Sequence, residues 1–309
     1  MQCIRCGAKA VYYSIHAGHA FCAKCFIKSI EERVRATINK YKLFNPKDRI
    51  LIAISGGKDS QVLAAILAKI EKGFPEVKLM ALTIDEGVPG YRDFGLKRCK
   101  ELCDELGIPL TITSFKELFG YSLPEIVALA EKKGLELKAC TFCGILRRRA
   151  INIKAKELGA TKVATGHNLD DEAQTALMNL LRGDALRLIR LGPKPIEEFP
   201  GFIPRVKPLR YIPERDITFY AYLKGFPLYE VECPYVRRSM RDELRFILND
   251  IEGRHPGTKY AIVRAVDKLS ALGSMIKVQV KSCKYCGEPT SRDICRACEL
   301  LESIGVIAH

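Results

Sequence analysis

The sequence predicts an α/β fold built on a parallel sheet, with one small cysteine-rich module at each end of the chain. Predicted strands alternate with predicted helices from residue 46 onward, an order typical of a parallel sheet. Five apolar residues at 50–54 run through a glycine turn into a helix-forming stretch at 61–70. Paired C-x-x-C motifs stand near both termini. The predicted units are a first module at 1–28, a linking helix at 29–45, a sheet domain at 46–274 and a second module at 275–309.

The first module is predicted to be a zinc ribbon. Cys3 and Cys6 are separated from Cys22 and Cys25 by fifteen residues, which is enough chain for a small hairpin. Each C-x-x-C motif can place two thiolates on one tetrahedral ion, so the four cysteines fill a structural Zn²⁺ site.

The second module uses the same device with a shorter spacer. Cys283 and Cys286 are separated from Cys295 and Cys298 by eight residues. This pattern predicts another zinc site, and we therefore expect two Zn²⁺ ions per chain.

The turn after the first strand of the sheet domain is rich in groups that bind anions. It contains Ser55, Gly56, Gly57, Lys58, Asp59 and Ser60. The glycines let backbone N–H groups converge on an anion, and the start of the following helix adds its positive dipole end. The lysine supplies a cation and the serines supply hydroxyls. The alternative is an ordinary strand-to-helix turn capped by the aspartate or the second serine.

Acidic residues follow two further predicted strands. The strand at 78–85 ends in Asp85, and ligands of doubly wound sheets bind at the carboxyl ends of strands. Asp85 is therefore a candidate to face a nucleotide, although a role in a turn or a helix cap is as reasonable. The strand at 161–165 is followed by Gly166, and Asp170 and Asp171 then open a helix. A carboxylate at this position either binds a metal or caps the helix.

Other elements complete the alternation. The remaining predicted strands are at 109–114, 202–206 and 228–232. The remaining predicted helices are at 90–107, 123–133, 140–158, 170–182 and 259–272. One further helix is predicted after Cys233-Pro234, and it contains Arg237, Arg238, Arg241 and Arg245.

Eight of the thirteen cysteines fill the two zinc sites, and Cys99 and Cys103, four residues apart on a predicted helix, are predicted to be buried in the hydrophobic core. Three cysteines then have no assignment. They are Cys140, Cys143 and Cys233. Three thiolates cannot close a tetrahedral structural site. An iron–sulfur cluster with one iron lacking a protein ligand, a persulfide carrier with a resolving partner, and three structural thiols all fit this number.

An arginine triplet follows the middle C-x-x-C motif. Arg147, Arg148 and Arg149 predict a cationic environment that lowers the pKa of the nearby thiols. They can also stabilise phosphate charge or hold a nucleic acid, while a solvated basic helix face is the simpler interpretation.

The turn S-G-G-K-D-S resembles the loop of the PP-loop ATP pyrophosphatase superfamily. The resemblance implies a Rossmann-like domain that splits ATP into AMP and pyrophosphate and adenylates a carbonyl oxygen. It also implies that Lys58 reaches the phosphates, and that Asp59 with Asp170 or Asp171 holds Mg²⁺ or orients the acceptor. Asp85 and Gly166 are included in the expected nucleotide site.

A more specific resemblance extends over most of residues 45–255. The C-x-x-C before the arginines, G-H-N-L-D-D-E and a later E-C-P-Y are similar to the cluster-dependent tRNA thiolation enzymes. This resemblance implies that Cys140, Cys143 and Cys233 hold a 4Fe-4S cluster, and that these cysteines, Asp59, Asp171 and Arg147 are catalytic. The flanking zinc modules resemble those of the TtuA-type and wobble-uridine branches rather than the two-thiocytidine branch. Of the two we expect the TtuA-type branch, which acts on the T-loop uridine 54. The alternatives are the wobble uridine 34 and another PP-loop tRNA-modifying ligase.

Charge and composition limit the partners. Lys and Arg number 50 against 36 Asp and Glu, a formal net charge of +14, which favours a polyanion such as tRNA. No apolar run reaches the ~18 residues of a membrane span, so we expect a cytoplasmic protein without a membrane partner. The second resemblance suggests a ubiquitin-like thiocarboxylate protein as sulfur donor, with free sulfide as the alternative; a homodimer is compatible with the sequence.

Overall fold

The computed structural model describes residues 1–195, 201–228, 232–235, 240–272 and 280–306. The chain begins with the antiparallel strands β1 (Tyr12–Ser14) and β2 (His19–Phe21), followed by helix α1 (Ala23–Tyr41). Cys22 is the N-cap of α1, and its sulfur accepts a hydrogen bond from the Cys25 backbone N–H (3.5 Å). The prediction of a separate helix at 29–45 is wrong at both ends. The helix begins within the cysteine module, because its first turn contains Cys25.

Five strands in the described part of the chain form one parallel sheet. They are β3 (Arg49–Ala53), β4 (Lys78–Asp85), β5 (Leu110–Ser114), β6 (Lys162–Thr165) and β7 (Arg205–Val206). Their order is β5-β4-β3-β6-β7, so the chain order reverses beside β3. A crevice forms at the carboxyl end of such a strand, and doubly wound sheets bind their ligands there. The predicted α/β fold with a parallel sheet is confirmed.

Helices cover both faces of the sheet. One face is packed by α1, α2 (Lys58–Glu71), α3 (Arg92–Leu106) and α9 (Glu214–Leu223). The other is packed by α4 (Phe115–Phe119), α5 (Leu123–Lys132), α6 (Ala139–Glu157) and α12 (Arg296–Ser303). Strand β3 serves both cores, since Ile50 and Ile52 point to the first and Leu51 to the second.

A third group of helices lies beside this sandwich. It contains α7 (Leu169–Leu181), α8 (Ala185–Ile189), α10 (Met240–Arg254) and α11 (Thr258–Leu272). Leu169, Leu248 and Val263 form its buried core. The C-terminal module then opens with the antiparallel strands β8 (Lys281–Ser282) and β9 (Pro289–Thr290).

The region 183–232 differs most from the prediction. It was expected to consist of loops and two strands, but it contains α8 and α9, and the strand at 202–206 shortens to β7. The aromatic and β-branched residues of α9 have strand propensity, which packing of Ile217 and Tyr220 in the core overrides. The strand expected at 228–232 lies partly outside the described residues, as do Arg237, Arg238 and the boundary at 274–275.

Most of the remaining elements follow the prediction closely, whereas the helices α4 and α12 were not predicted. Strand β4 has the expected bounds, and α3, α5, α6 and α11 differ by one or two residues at their ends. Cys99 and Cys103 are buried in the core as expected. Among the described residues, no helix is both long and apolar enough to cross a membrane.

Candidate active site

The loop Ser55–Ser60 lies at the carboxyl end of the central strand β3. Helix α2 begins at Lys58 with Gly57 as its N-cap, and no side chain caps its backbone N–H groups. These groups are free to bind an anion. The alternative of a turn capped by Asp59 or Ser60 is therefore wrong. The serines fold the loop instead, since Ser55 Oγ accepts from the Gly57 N–H (3.3 Å) and Ser60 Oγ donates to the Gly57 carbonyl (2.9 Å).

Two glycines allow neighbouring elements to approach this loop. Gly56 has φ +86°, and a Cβ there would come 2.6 Å from the Gly95 carbonyl oxygen of α3. A Cβ on Gly166 would come 3.2 Å from the Ser60 backbone nitrogen. The absence of a side chain at Gly166 thus lets the turn after β6 pack against the loop.

Lys58 is held by carboxylates. Its Nζ lies 3.2 Å from Asp59 Oδ2 and 2.7 Å from Glu214 Oε1. Burial opposes the charge, but Asp59 and Glu214 outweigh it and raise the pKa of Lys58. Lys58 is therefore positively charged and held beside the loop by these two carboxylates. Glu214, which lies at the start of α9, was not anticipated from the sequence.

The adjacent carboxylates Asp170 and Asp171 have different surroundings. Asp170 is buried, pairs with Lys259, and accepts a hydrogen bond from the Glu214 backbone N–H (2.7 Å). Asp171 forms a capping box with Asn168, which also donates to Asp59 Oδ1 (2.8 Å). Burial raises the pKa of Asp171 to about 6, and the negative charges of Asp59 and Glu214 add to this effect.

The structure thus assigns different roles to Asp170 and Asp171, which the sequence alone could not distinguish. Asp170 stabilises the junction of α7, α9 and α11, whereas Asp171 joins Asp59 in a pair of carboxylates at the loop. Two such carboxylates suit a hard cation such as Mg²⁺. Asp85, by contrast, accepts from the Gly87 N–H (2.7 Å), which is the turn role offered as its alternative.

Cys140 and Cys143 occupy the first turns of α6. Cys140 is exposed, with Sγ 3.6 Å from the Tyr235 carbonyl, and Cys143 is half-buried, with Sγ 3.3 Å from Arg147 Nη2. Burial raises the pKa of Cys143 to about 11, and Arg147 offsets only part of this rise. The expected lowering of the Cys143 pKa is wrong because desolvation outweighs the single nearby guanidinium. Cys233 lies close enough to add to the Cys143 shift, so the chain brings the three predicted thiols together.

The thiols fall into two kinds of group. In the first kind, four sulfurs lie within 4.8 Å of one another, as a single tetrahedral ion requires. These groups are Cys3, Cys6, Cys22 and Cys25, and Cys283, Cys286, Cys295 and Cys298. Cys140, Cys143 and Cys233 do not meet at that spacing among the described residues. Their wider separation and missing fourth thiol fit a multi-iron cluster better than one ion.

The arginine triplet does not act as one surface. Arg147 donates from Nε to Glu86 Oε1 (2.7 Å), and Arg149 donates to Cys286 Sγ (2.7 Å) in the C-terminal four-cysteine group. The Arg148 side chain is exposed. Successive helical positions point in directions about 100° apart, which explains why the triplet divides among three surroundings.

Basic side chains surround His167 at the carboxyl ends of β6 and β7. Burial, followed by the charges of Lys207, Arg241, Arg205 and Arg148, lowers the pKa of His167 to about 3. Its Nδ1 lies 2.9 Å from the Thr165 hydroxyl oxygen. Lys207 pairs with Glu172 (2.9 Å). A neutral histidine among these basic side chains is suited to an anionic substrate.

Comparison with known proteins defines the class first. The sequence profile of the PP-loop domain family matches residues 27–251, so the chain belongs to the PP-loop proteins. The chain is 38% identical to the tRNA 2-thiolation protein NcsA of Haloferax volcanii over 99% of this chain and 100% of the relative. It is 39% identical to the cytoplasmic tRNA 2-thiolation protein 1 of Chlamydomonas reinhardtii over 98% of this chain and 84% of the relative. Within the PP-loop class, the chain belongs to the family of tRNA 2-thiolation proteins.

A solved structure supports the same family. The U34-tRNA thiolase NcsA from Methanococcus maripaludis, solved with its [4Fe-4S] cluster, matches with a TM-score of 0.87 and 35% identity. The match covers 99% of this chain and 97% of that chain. The predicted superfamily and the prediction of tRNA thiolation are confirmed. The TtuA-type branch and uridine 54 gain no support, because the relatives favour the wobble-uridine alternative.

Proposed function

We propose that this chain is a cytoplasmic, ATP-dependent enzyme that replaces the C2 oxygen of the wobble uridine 34 of tRNA with sulfur. The observation that carries the proposal is the convergence of an open phosphate loop and three thiols at one edge of the sheet. The similarity to a U34-tRNA thiolase favours position 34 over position 54. The net charge of +14 suits a tRNA partner.

The loop residues bind ATP in this proposal. The uncapped N–H groups at the start of α2 hold the phosphates, and Lys58 leaves Glu214 to pair with them. Asp59 and Asp171 hold Mg²⁺. The uridine O2 attacks the α-phosphorus, the bond to pyrophosphate breaks, and the uridine becomes an O-adenylate with AMP as its leaving group.

The second half of the reaction needs a sulfur nucleophile. Cys140, Cys143 and Cys233 would hold a 4Fe-4S cluster, which supplies a site for a positioned sulfide at the iron that lacks a protein ligand. Attack of sulfide at C2 breaks the C2–O bond and releases AMP, without net oxidation or reduction. Arg147 orients Cys143 and places positive charge beside the departing phosphate. A ubiquitin-like thiocarboxylate protein or free sulfide serves as donor.

The two four-cysteine groups have a structural role in this proposal. Each holds one Zn²⁺ and fixes a terminal module to the PP-loop domain. Arg149 connects the second group to α6, whose first turns carry Cys140 and Cys143.

The test uses anaerobically reconstituted protein with Mg²⁺-ATP, sulfide and two tRNA transcripts. One transcript has U34 replaced by cytidine and the other has U54 replaced. Mass spectrometry of the nucleosides should find 2-thiouridine only in the transcript that retains U34. Sulfur in the transcript that lacks U34 would overturn the position, and formation of ADP instead of AMP would overturn the PP-loop chemistry.

A matched lysine pair tests the loop. Lys58→Ala should abolish AMP formation while tRNA binding stays nearly unchanged, because the loop and the basic surface are separate. Lys69→Ala removes a lysine of the same helix that pairs with Glu31 at the surface, and it should keep wild-type activity.

A further inference from the structure

A buried carboxylate lies between the phosphate loop and the thiol of Cys143. Glu86 directly follows β4 and is 3% exposed. Arg147 contacts Glu86 Oε1 through Nε and through Nη2, both at 2.7 Å, and the same Nη2 lies 3.3 Å from Cys143 Sγ. On the other side, Arg92 Nε lies 3.0 Å from Glu86 Oε2. One carboxylate is therefore shared by two guanidinium groups.

Arg92 extends this connection to the loop. It is 5% exposed, and its Nη1 donates to the Ser55 carbonyl oxygen (2.8 Å) while Nη2 donates to the Thr83 hydroxyl (2.6 Å). Helix α3 also packs against the loop, since a Cβ on Gly95 would lie 2.9 Å from the same Ser55 oxygen. A displacement of the loop therefore moves the Ser55 carbonyl directly against Arg92.

The geometry of the ion pair between Arg92 and Glu86 can still improve. Glu86 Oε2 and Arg92 Nε form an ion pair, but both atoms are buried and neither makes a well-aligned hydrogen bond. Most buried polar atoms do make such bonds, so this pair gains from a small shift that aligns it. The other contacts of Glu86, those to Arg147, are already short.

We infer that Glu86 and Arg92 are positioning residues that couple the phosphate loop to Cys143, so that a nucleotide in the loop changes the surroundings of this thiol. The inference rests on the proposed function for the identity of the nucleotide. Coupling of this kind makes the sulfur side of the site respond to a filled loop. Each link is a direct contact, and the path runs from Ser55 through Arg92, Glu86 and Arg147 to Cys143. Its central pair, Arg92 and Glu86, is buried.

Thiol alkylation tests the coupling. Cluster-free, zinc-replete full-length protein is treated with iodoacetamide, with and without a non-hydrolysable ATP analogue, and modification of Cys143 is followed by mass spectrometry. In the wild type, the saturating analogue should change the Cys143 rate by about fivefold or more, the lower end of ordinary allosteric couplings. In Glu86→Gln the change should fall below about twofold while the analogue still binds.

The control removes a carboxylate of similar kind outside the path. Glu117 pairs with Lys154 of α6 and is largely exposed, so Glu117→Gln should keep the wild-type response. Should Glu86→Gln fail to fold, Arg147→Lys replaces it. Lysine keeps the charge but cannot contact the carboxylate and the thiol as a guanidinium does, so the response should again be lost.

A second measurement uses reconstituted protein. The electron paramagnetic resonance spectrum of the reduced cluster should change when the analogue binds to the wild type and stay constant in Glu86→Gln. A wild type whose alkylation rate ignores the saturating analogue, or a Glu86→Gln protein with the full response, would overturn the inference. A chain that shows the response but thiolates no tRNA would keep the inference and lose the proposed function.

Discussion

The two four-cysteine groups and the three-cysteine set differ in how the chain builds them. Each four-cysteine group comes from one short segment, in which a hairpin and the first turn of a helix bring the sulfurs within 4.8 Å. The three-cysteine set joins the start of α6 to Cys233, and Cys140 contacts Tyr235, 95 residues away in sequence. A local site can form as its own segment folds, whereas the distant one requires the complete domain.

The number of thiols distinguishes a structural metal site from a site that can bind a substrate. A tetrahedral ion surrounded by four thiolates has no position left for a substrate, while a set of three leaves one. The closed groups lie in the terminal modules, and the open set is connected to the loop Ser55–Ser60 through Arg147, Glu86 and Arg92.

The open set should behave as a unit. Cys140→Ala, Cys143→Ala and Cys233→Ala should each lose most of the cluster absorbance and all thiolation, while metal analysis still finds about two zinc ions. Double variants should be no worse than single ones, because each removal already destroys the site. Cys103→Ala, which changes a buried core thiol, should keep its iron. A persulfide carrier would behave differently, with one essential cysteine, one partly required, and iron dispensable.

The closed groups should respond independently of each other. Cys3→Ser or Cys283→Ser should lower the zinc content from about two to about one per chain and lower the melting temperature, because zinc binding is coupled to folding. Calorimetry together with metal analysis measures both effects. Protein that remains fully folded and equally stable without zinc would contradict a structural role.

Arg149 should distinguish one closed group from the other. Its Nη1 donates to Cys286 Sγ (2.7 Å) and lies 3.5 Å from Cys295 Sγ. Arg149→Met should weaken zinc binding at the C-terminal group about 10- to 100-fold, the usual effect of losing a partner of a metal ligand. Competition with a chelator measures the affinity. Arg148→Met and the N-terminal group serve as controls, and equal weakening of both groups would show an indirect effect.

The sequence predicted the local features well because they depend on short-range rules. The spacing of Cys3, Cys6, Cys22 and Cys25 is sufficient to predict their group, and the glycines after β3 are sufficient to predict the loop. Residues whose partners are distant in sequence could not be predicted in the same way. Glu86 and Glu214 lie in stretches without a motif, and only the fold brings them to Arg147 and Lys58.

The pKa of Cys143 shows a second limit. A neighbouring arginine is visible in the sequence, but the degree of burial is not, and here burial dominates. The helix α9 was missed for a related reason. Its residues were expected to form a loop, because their aromatic and β-branched side chains do not favour a helix until their packing is known. The sequence also could not rank Asp170 against Asp171, because both lie in the first turn of the same helix and only their partners differ.

These two carboxylates repeat the contrast between complete and incomplete sites and give the prediction with the smallest effect. Asp170 has its charge balanced by Lys259, whereas the pKa of Asp171 is raised to about 6 from an ordinary value of 3.8. Between these two values the folded protein retains a proton that the unfolded chain releases. The contribution of Asp171 to the free energy of unfolding should therefore decrease as pH rises from about 4 to about 6, and Asp171→Asn should remove this contribution to the slope. Chemical denaturation of nucleotide-free and Mg²⁺-free protein measures it. The slope should be modest, since the Asp171 side chain is 35% exposed and water screens its charge.

Asp170→Asn should instead lower stability at every pH in this range, because it leaves Lys259 buried without its counter-charge. If Asp171→Asn keeps the wild-type slope, the raised pKa belongs to another group.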